Sequence, residues 1–159
     1  MGIIMDIDQS MMYEAIKEAK VACITEEVPV GAVIVKNGII ISKGHNARET
    51  EQNALLHAEI SAISNACKYL GSWRLSGCTM YVTLEPCPMC AGAIINSRIE
   101  RVVFGAKDPK AGACCSVINI FGFGFNHTPA LCAGVLESEC SALLEEFFKN
   151  LRATKNKCR

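Results

Sequence analysis

Val30-Gly31-Ala32-Val33-Ile34-Val35-Lys36-Asn37-Gly38-Ile39-Ile40-Ile41-Ser42 is the stretch that decides the architecture. Residues 30–35 and 39–42 are two apolar, β-branched runs, and Asn37-Gly38 between them tolerates the positive φ angles of a tight hairpin turn. The stretch therefore predicts an antiparallel hairpin. Upstream, residues 8–25 read as a helix capped by Asp8, with Met11, Met12, Ala15, Ile16, Ala19 and Cys23 on one apolar stripe. Downstream, residues 44–56 are polar and irregular. Residues 57–70 read as a helix with Ile60, Ile63, Ala66 and Cys67 facing inward. A short buried strand follows at 78–84, a helix at 86–97 with prolines in its first turn, and a further buried strand at 101–105. Residues 107–125 read as a Gly-rich loop, and 130–136 fit more than one conformation. Residues 137–152 form an amphipathic helix with Cys140, Leu143, Leu144, Phe147, Phe148 and Leu151 on one face. A hairpin followed by β-α-β units implies an α/β protein with a mixed sheet and helices on both faces. No internal repeat or linker divides the chain, so residues 1–159 are expected to form a single domain ending in a basic tail at about 149–159.

The composition narrows the class. Half of the 159 residues are apolar and 20% are charged, which excludes disorder. No apolar run is long enough to span a bilayer. The first ten residues carry Asp6 and Asp8 without a basic segment, unlike a secretory signal. Asp6 also stands where a myristoylation motif requires Ser or Thr. A cytoplasmic protein is expected, and its ten cysteines are then buried thiols or metal ligands rather than disulfides. The formal net charge of zero argues against indiscriminate nucleic-acid binding while leaving room for a local basic patch.

Two short motifs carry the chemistry: His57-Ala58-Glu59 and Pro86-Cys87-Pro88-Met89-Cys90. One imidazole and two thiolates can hold zinc and leave a tetrahedral position open. Glu59 beside them can move the proton of an activated water. H-x-E followed by P-C-x-x-C is an established signature of zinc-dependent nucleobase deaminases. Both motifs fall at helix beginnings, where backbone N–H groups favour negative charge, and Cys87 and Cys90 lie one helical turn apart. His57 and Glu59 are only two positions apart, so they converge only if the helix end itself faces the metal. An isolated C-x-x-C also occurs in closed structural zinc sites, for which Cys67, Cys78, Cys114 or Cys115 would be the added ligands. His45 and His127 read as surface or supporting residues.

Over nearly its whole length the chain resembles the bacterial tRNA-specific adenosine deaminases of the cytidine deaminase superfamily. The resemblance rests on Glu27-Val28-Pro29-Val30-Gly31-Ala32-Val33-Ile34, His45-Asn46, and the run from Tyr81 through Cys87 and Cys90 to Gly92. It continues through Arg98 to Ala106, Asp108-Pro109-Lys110, Asn126-His127, Gly134-Val135-Leu136 and the Glu139 to Phe148 helix. The metal motifs alone mark only the superfamily; the segment from Arg98 to Gly112 favours tRNA adenosine. The chain departs from the family at Ala54-Leu55-Leu56 and at Cys114-Cys115.

The resemblance implies a three-layer α-β-α cytidine-deaminase-like fold with a mixed five-stranded sheet. It also implies a homodimer with one Zn2+ per subunit and conversion of adenosine to inosine at the wobble position of a tRNA anticodon stem-loop. Glu59 would be catalytic, with His57, Cys87 and Cys90 on the metal. Asn46, Val30, Ala58 and Pro86 would meet the substrate, and Asp108, Lys110, Asn126, His127, Phe148 and Arg152 would contact RNA. The rival readings are a free-base or nucleotide deaminase acting on guanine or cytosine, and a non-catalytic zinc-stabilised RNA-binding module.

Overall fold

The computed structural model describes residues 6–157; the expectations placed on residues 1–5 and on Arg159 fall outside them. The elements run α1 (Ile7–Ile24), β1 (Gly31–Lys36), β2 (Ile39–His45), α2 (Ala58–Leu70), β3 (Cys78–Leu84), α3 (Pro88–Ser97), β4 (Arg101–Ala106), β5 (Ala130–Ala133) and α4 (Glu137–Lys157). The five strands form one sheet in the order β2-β1-β3-β4-β5. The β1–β2 and β1–β3 pairs are antiparallel, and β3–β4 and β4–β5 are parallel. Asn37 and Gly38 both have positive φ, as the hairpin turn requires.

Strand side chains alternate between two cores. Ala32, Ile34, Met80, Val82, Val102 and Phe104 face the side covered by α2 and α3. Val33, Val35, Tyr81 and Val103 face the side where Met12, Ala15 and Ile16 of α1 and Cys140 of α4 pack. This is the expected mixed five-stranded sheet between two helical layers.

Three expectations are corrected and one open reading is settled. Asp8 is not the cap of α1; Asp6 occupies that position. The Asp8 carboxylate turns inward and accepts from Tyr81 Oη at 2.9 Å and from Arg101 Nη1 and Nη2 at 2.8 and 2.6 Å. A buried phenol and a guanidinium leave that acceptor no freedom to cap. On α2 Ala66 is buried and Ile63 and Cys67 pack against the core as expected, but Ile60 is only half-buried, and the other fully buried apolar positions are Ala58 and Ala62. Small residues are required there because Gly44 of β2 lies directly on the helix backbone: a Cβ at Gly44 would overlap Ala58 O and Ala62 N. The 130–136 segment resolves into the short edge strand β5, paired to β4. Finally, α4 runs to Lys157, past the expected end. Only Cys140 of its apolar face is buried; Phe148 and Leu151 stay 40% and 41% exposed.

Candidate active site and metal centre

The sheet positions the site through the two helices that begin beside it. His57 and Cys87 are the N-cap residues of α2 and α3, both with extended backbone and neither using its side chain to cap. Their side chains are therefore free to point past the helix ends, where backbone N–H groups lower the cost of anionic sulfur. Cys90, one turn into α3, completes the group. His57 Nδ1 lies 3.6 Å from Cys87 Sγ and 3.6 Å from Cys90 Sγ. The three ligand atoms all lie within 4.8 Å of one another. Ordinary Zn–S and Zn–N bond lengths at a tetrahedral angle put nitrogen and sulfur about 3.6 Å apart, so the donor spacing fits that ion. Among the described residues none of Cys67, Cys78, Cys114 and Cys115 joins this cluster.

The thiols respond unequally to one another. Hydrogen bonding from Cys90, and then from His57, holds the Cys87 thiol down at about 4. The Cys90 thiol is pushed up, first by its hydrogen bond to Cys87 and then by burial. His57 is raised by its hydrogen bond to Cys87. One thiolate is thus favoured and the second opposed by the first, a conflict that a divalent cation among the donors resolves.

Beside this cluster lies a cavity of about 220 Å³ lined by Val28, Val30, Asn46, Arg48, His57, Ala58, Glu59, Leu84, Glu85, Cys87, Asp108 and Ala111. His57 and Glu59 do converge, because His57 sits just outside the helix and Glu59 in its first turn. Burial pushes the Glu59 carboxyl up to about 7, against the pull of its own backbone N–H and of His57. Asn46 donates from Nδ2 to Val28 O at 3.3 Å, which leaves its buried Oδ1 without a partner among the described residues.

The structure brings together His57, Glu59, Cys87, Asn46, Val30, Ala58 and Asp108 in that lining, with Cys90 buried behind it. Pro86 is buried outside the lining, its carbonyl accepting from Ala113 N at 2.9 Å. Lys110, Asn126, Phe148 and Arg152 are exposed and also lie outside it. His127 donates from Nε2 to Ile99 O at 2.6 Å, and His45 pairs with Glu18 at 3.1 Å.

Sequence reasoning missed Arg48 and Glu85. Arg48 is a single cation in an irregular stretch and carries no spacing signal. Glu85 precedes the Pro-Cys motif and is buried, a position where an unpaired carboxylate is costly; neither its burial nor its distant backbone partners leave a signal in the sequence. Its Oε1 accepts from the backbone N–H groups of Cys114, Cys115 and Ser116 at 3.1, 2.7 and 2.9 Å. Its Oε2 accepts from Asp108 N at 3.0 Å and from the Ser116 hydroxyl. Burial pushes this carboxyl up, but the bonds from Ser116, Asp108 and Cys115 outweigh it and hold the group at about 2.

Comparison with known proteins finds deaminases. The chain matches the MafB19-like deaminase family over residues 5–152. It is 55% identical over 153 residues to the tRNA-specific adenosine deaminase of Bacillus subtilis strain 168, covering 96% of this chain and 95% of that relative. A solved structure from biochemical and structural studies of A-to-I editing by tRNA:A34 deaminases at the wobble position of transfer RNA aligns with a TM-score of 0.82. That pair is 43% identical, and the alignment covers 85% of this chain and 99% of the other. A guanine deaminase structure from Bacillus subtilis aligns with a TM-score of 0.60 at 40% identity, covering 62% of this chain and 64% of the other.

Proposed function

This chain belongs to the family of tRNA-specific adenosine deaminases and is a hydrolytic deaminase of adenosine at the tRNA wobble position; we propose that it works through zinc held by His57, Cys87 and Cys90, with Glu59 as the proton carrier. The observation that carries this division of labour is the meeting of a three-donor cluster and a buried carboxylate on one small cavity. Bound zinc supplies Lewis acidity, which brings the pKa of a water in the cavity towards neutrality.

Glu59 takes a proton from the water whose oxygen attacks C6 of adenine. It delivers that proton to N1, the ring nitrogen beside C6. The tetrahedral carbon then collapses: the C6–N6 bond breaks, the remaining hydroxyl proton passes through Glu59, and ammonia leaves inosine behind. Asn46 Oδ1 offers the inserted nucleoside an acceptor, and Val30 and Ala58 supply apolar walls. The cavity is smaller than the roughly 300–1,000 Å³ of ordinary ligand pockets, a size suited to one inserted base. An anticodon loop presents such a base unpaired, which makes flipping cheap.

The RNA contacts at Asp108, Lys110, Asn126, His127, Phe148 and Arg152 belong to the same proposal, as does Pro86 as a support of the substrate site. So do a single domain over residues 1–159, a homodimer and a cytoplasmic setting. The homodimer is supported by the exposed apolar side chains of Val117, Ile118, Phe123 and Phe125. Among the described residues no helix is long and apolar enough to cross a membrane.

The test is inosine formation on an anticodon stem-loop with adenosine at the wobble position, with free guanine and cytosine assayed in parallel. Turnover confined to the stem-loop is expected. Turnover confined to guanine would retain the chemistry and overturn the substrate.

A further inference from the structure

Residues 107–125 read in the sequence as a plain Gly-rich loop, yet the first half of this segment is wrapped around one carboxylate. Glu85 stands at the end of β3 and takes four backbone N–H groups and one hydroxyl from Asp108, Cys114, Cys115 and Ser116. The wrapping is close: a Cβ on Gly112 would overlap the Glu85 carboxylate and the Asp108 carbonyl. The turn between these anchors is built on Asp108, whose Oδ1 accepts from Lys110 N and Ala111 N at 2.9 and 3.1 Å and whose carbonyl accepts from Gly112 N at 2.9 Å. Asp108 and Ala111 are also the loop's contribution to the cavity wall.

We infer that Glu85 is a positioning residue for substrate binding: it holds the Asp108–Gly112 turn in place as one wall of the base pocket without touching the reacting atoms. The inference rests on the deaminase reading of that pocket. An ionised carboxylate is the one side chain of this size that accepts at both oxygens and donates at neither. Glutamine keeps the shape but turns one acceptor into a donor. With the glutamine oxygen serving Cys114, Cys115 and Ser116, the side-chain NH2 meets the Asp108 N–H, donor against donor. The Ser116 hydroxyl can rotate to accept, whereas the Asp108 amide has no such freedom. Glu85→Gln therefore releases the Asp108 end of the loop, the end that lines the cavity.

The experiment compares zinc-loaded wild type and Glu85→Gln by three measurements: hydrogen exchange over residues 107–118, zinc per chain, and kcat and KM on the anticodon stem-loop. Faster exchange in the segment is expected, with unchanged zinc, KM raised about tenfold and kcat within about twofold. A fall in kcat at unchanged KM would overturn the inference, because Glu85 would then act on the chemistry through Pro86 and Cys87. A loosened loop with unchanged KM would overturn it too. If Glu85→Gln fails to fold, Ser116→Ala removes one donor and leaves the carboxylate; a KM raised about threefold supports the inference and an unchanged KM overturns it. Hydrogen exchange needs no substrate. Failure of wild type on the stem-loop would therefore strike the tRNA reading alone, while the exchange pattern would still decide whether Glu85 orders the turn.

Discussion

Glu59, Asp8 and Glu85 are buried carboxylates under opposite physical pressures. Glu59 has burial against it and its pKa is pushed up; Asp8 and Glu85 have donors around them and theirs are held down. Replacing Glu59 with Ala is expected to leave zinc in place and to lower kcat by at least about a hundredfold; metal analysis beside single-turnover kinetics checks both halves. At Asp8 the bond from Arg101 leads the causes that lower the carboxyl. A native group with a lowered pKa binds fewer protons than the unfolded chain, so its contribution to stability is complete above the ordinary carboxylate range of about 4 and is lost as pH falls through the lowered native value. Asp8→Asn should therefore lose about 1–2 kcal/mol at neutral pH and show a flatter dependence of the urea midpoint on pH below about 4. Equal slopes for the two proteins would refute the assignment. The sequence showed Glu59 because its neighbour His57 belongs to a metal motif. Glu85 and Asp8 were hidden, because their partners are backbone amides and side chains distant in sequence.

Period and turn chemistry made most of the elements readable. The Asn37-Gly38 hairpin, β3, β4, and the helix starts at the two metal motifs all formed near their expected positions. What hydropathy misjudged was part of the inward face of α2, where Ala58 and Ala62 rather than Ile60 are fully buried. There close approach to β2 selects alanine over isoleucine, a constraint set by the neighbouring strand and invisible in the helix's own period. Gly44→Ala tests this contact. The added methyl would meet helix backbone, which cannot move like a flexible side chain, so a loss of about 1–3 kcal/mol is expected. An unchanged melting temperature would contradict the contact. The segment after β4 was unreadable for another reason. Its order comes from Glu85 and from main-chain bonds such as Ile120 N to Ala113 O at 2.9 Å, and none of these leaves a periodic trace.

At the scale of the whole molecule, the cluster of His57, Cys87 and Cys90 joins the start of α2 to α3 in the layer that covers one face of the sheet, and the proposed zinc would tie them together. Removing zinc with a chelator should lower the melting temperature by several degrees, since a ligand held only by the native state stabilises it by mass action. Re-adding zinc should restore it, and a melting temperature indifferent to chelation would count against the site. The nine cysteines among the described residues are all free, so this cross-tie does not compete with a disulfide.

The strand order β2-β1-β3-β4-β5 bears on how the chain is born. Once the hairpin has formed, β3 adds to the free edge of β1, β4 to β3, and β5 to β4. A chain leaving the ribosome from its N-terminus never has to prise a formed strand pair open to admit a later strand. The clasp of Arg101 on Asp8 closes only when β4 has emerged, and the wall around Glu85 closes after that. The wall of the cavity can thus close only once β1 to β4 are in place, and it is complete in sequence at Ser116, before β5 and α4 have emerged.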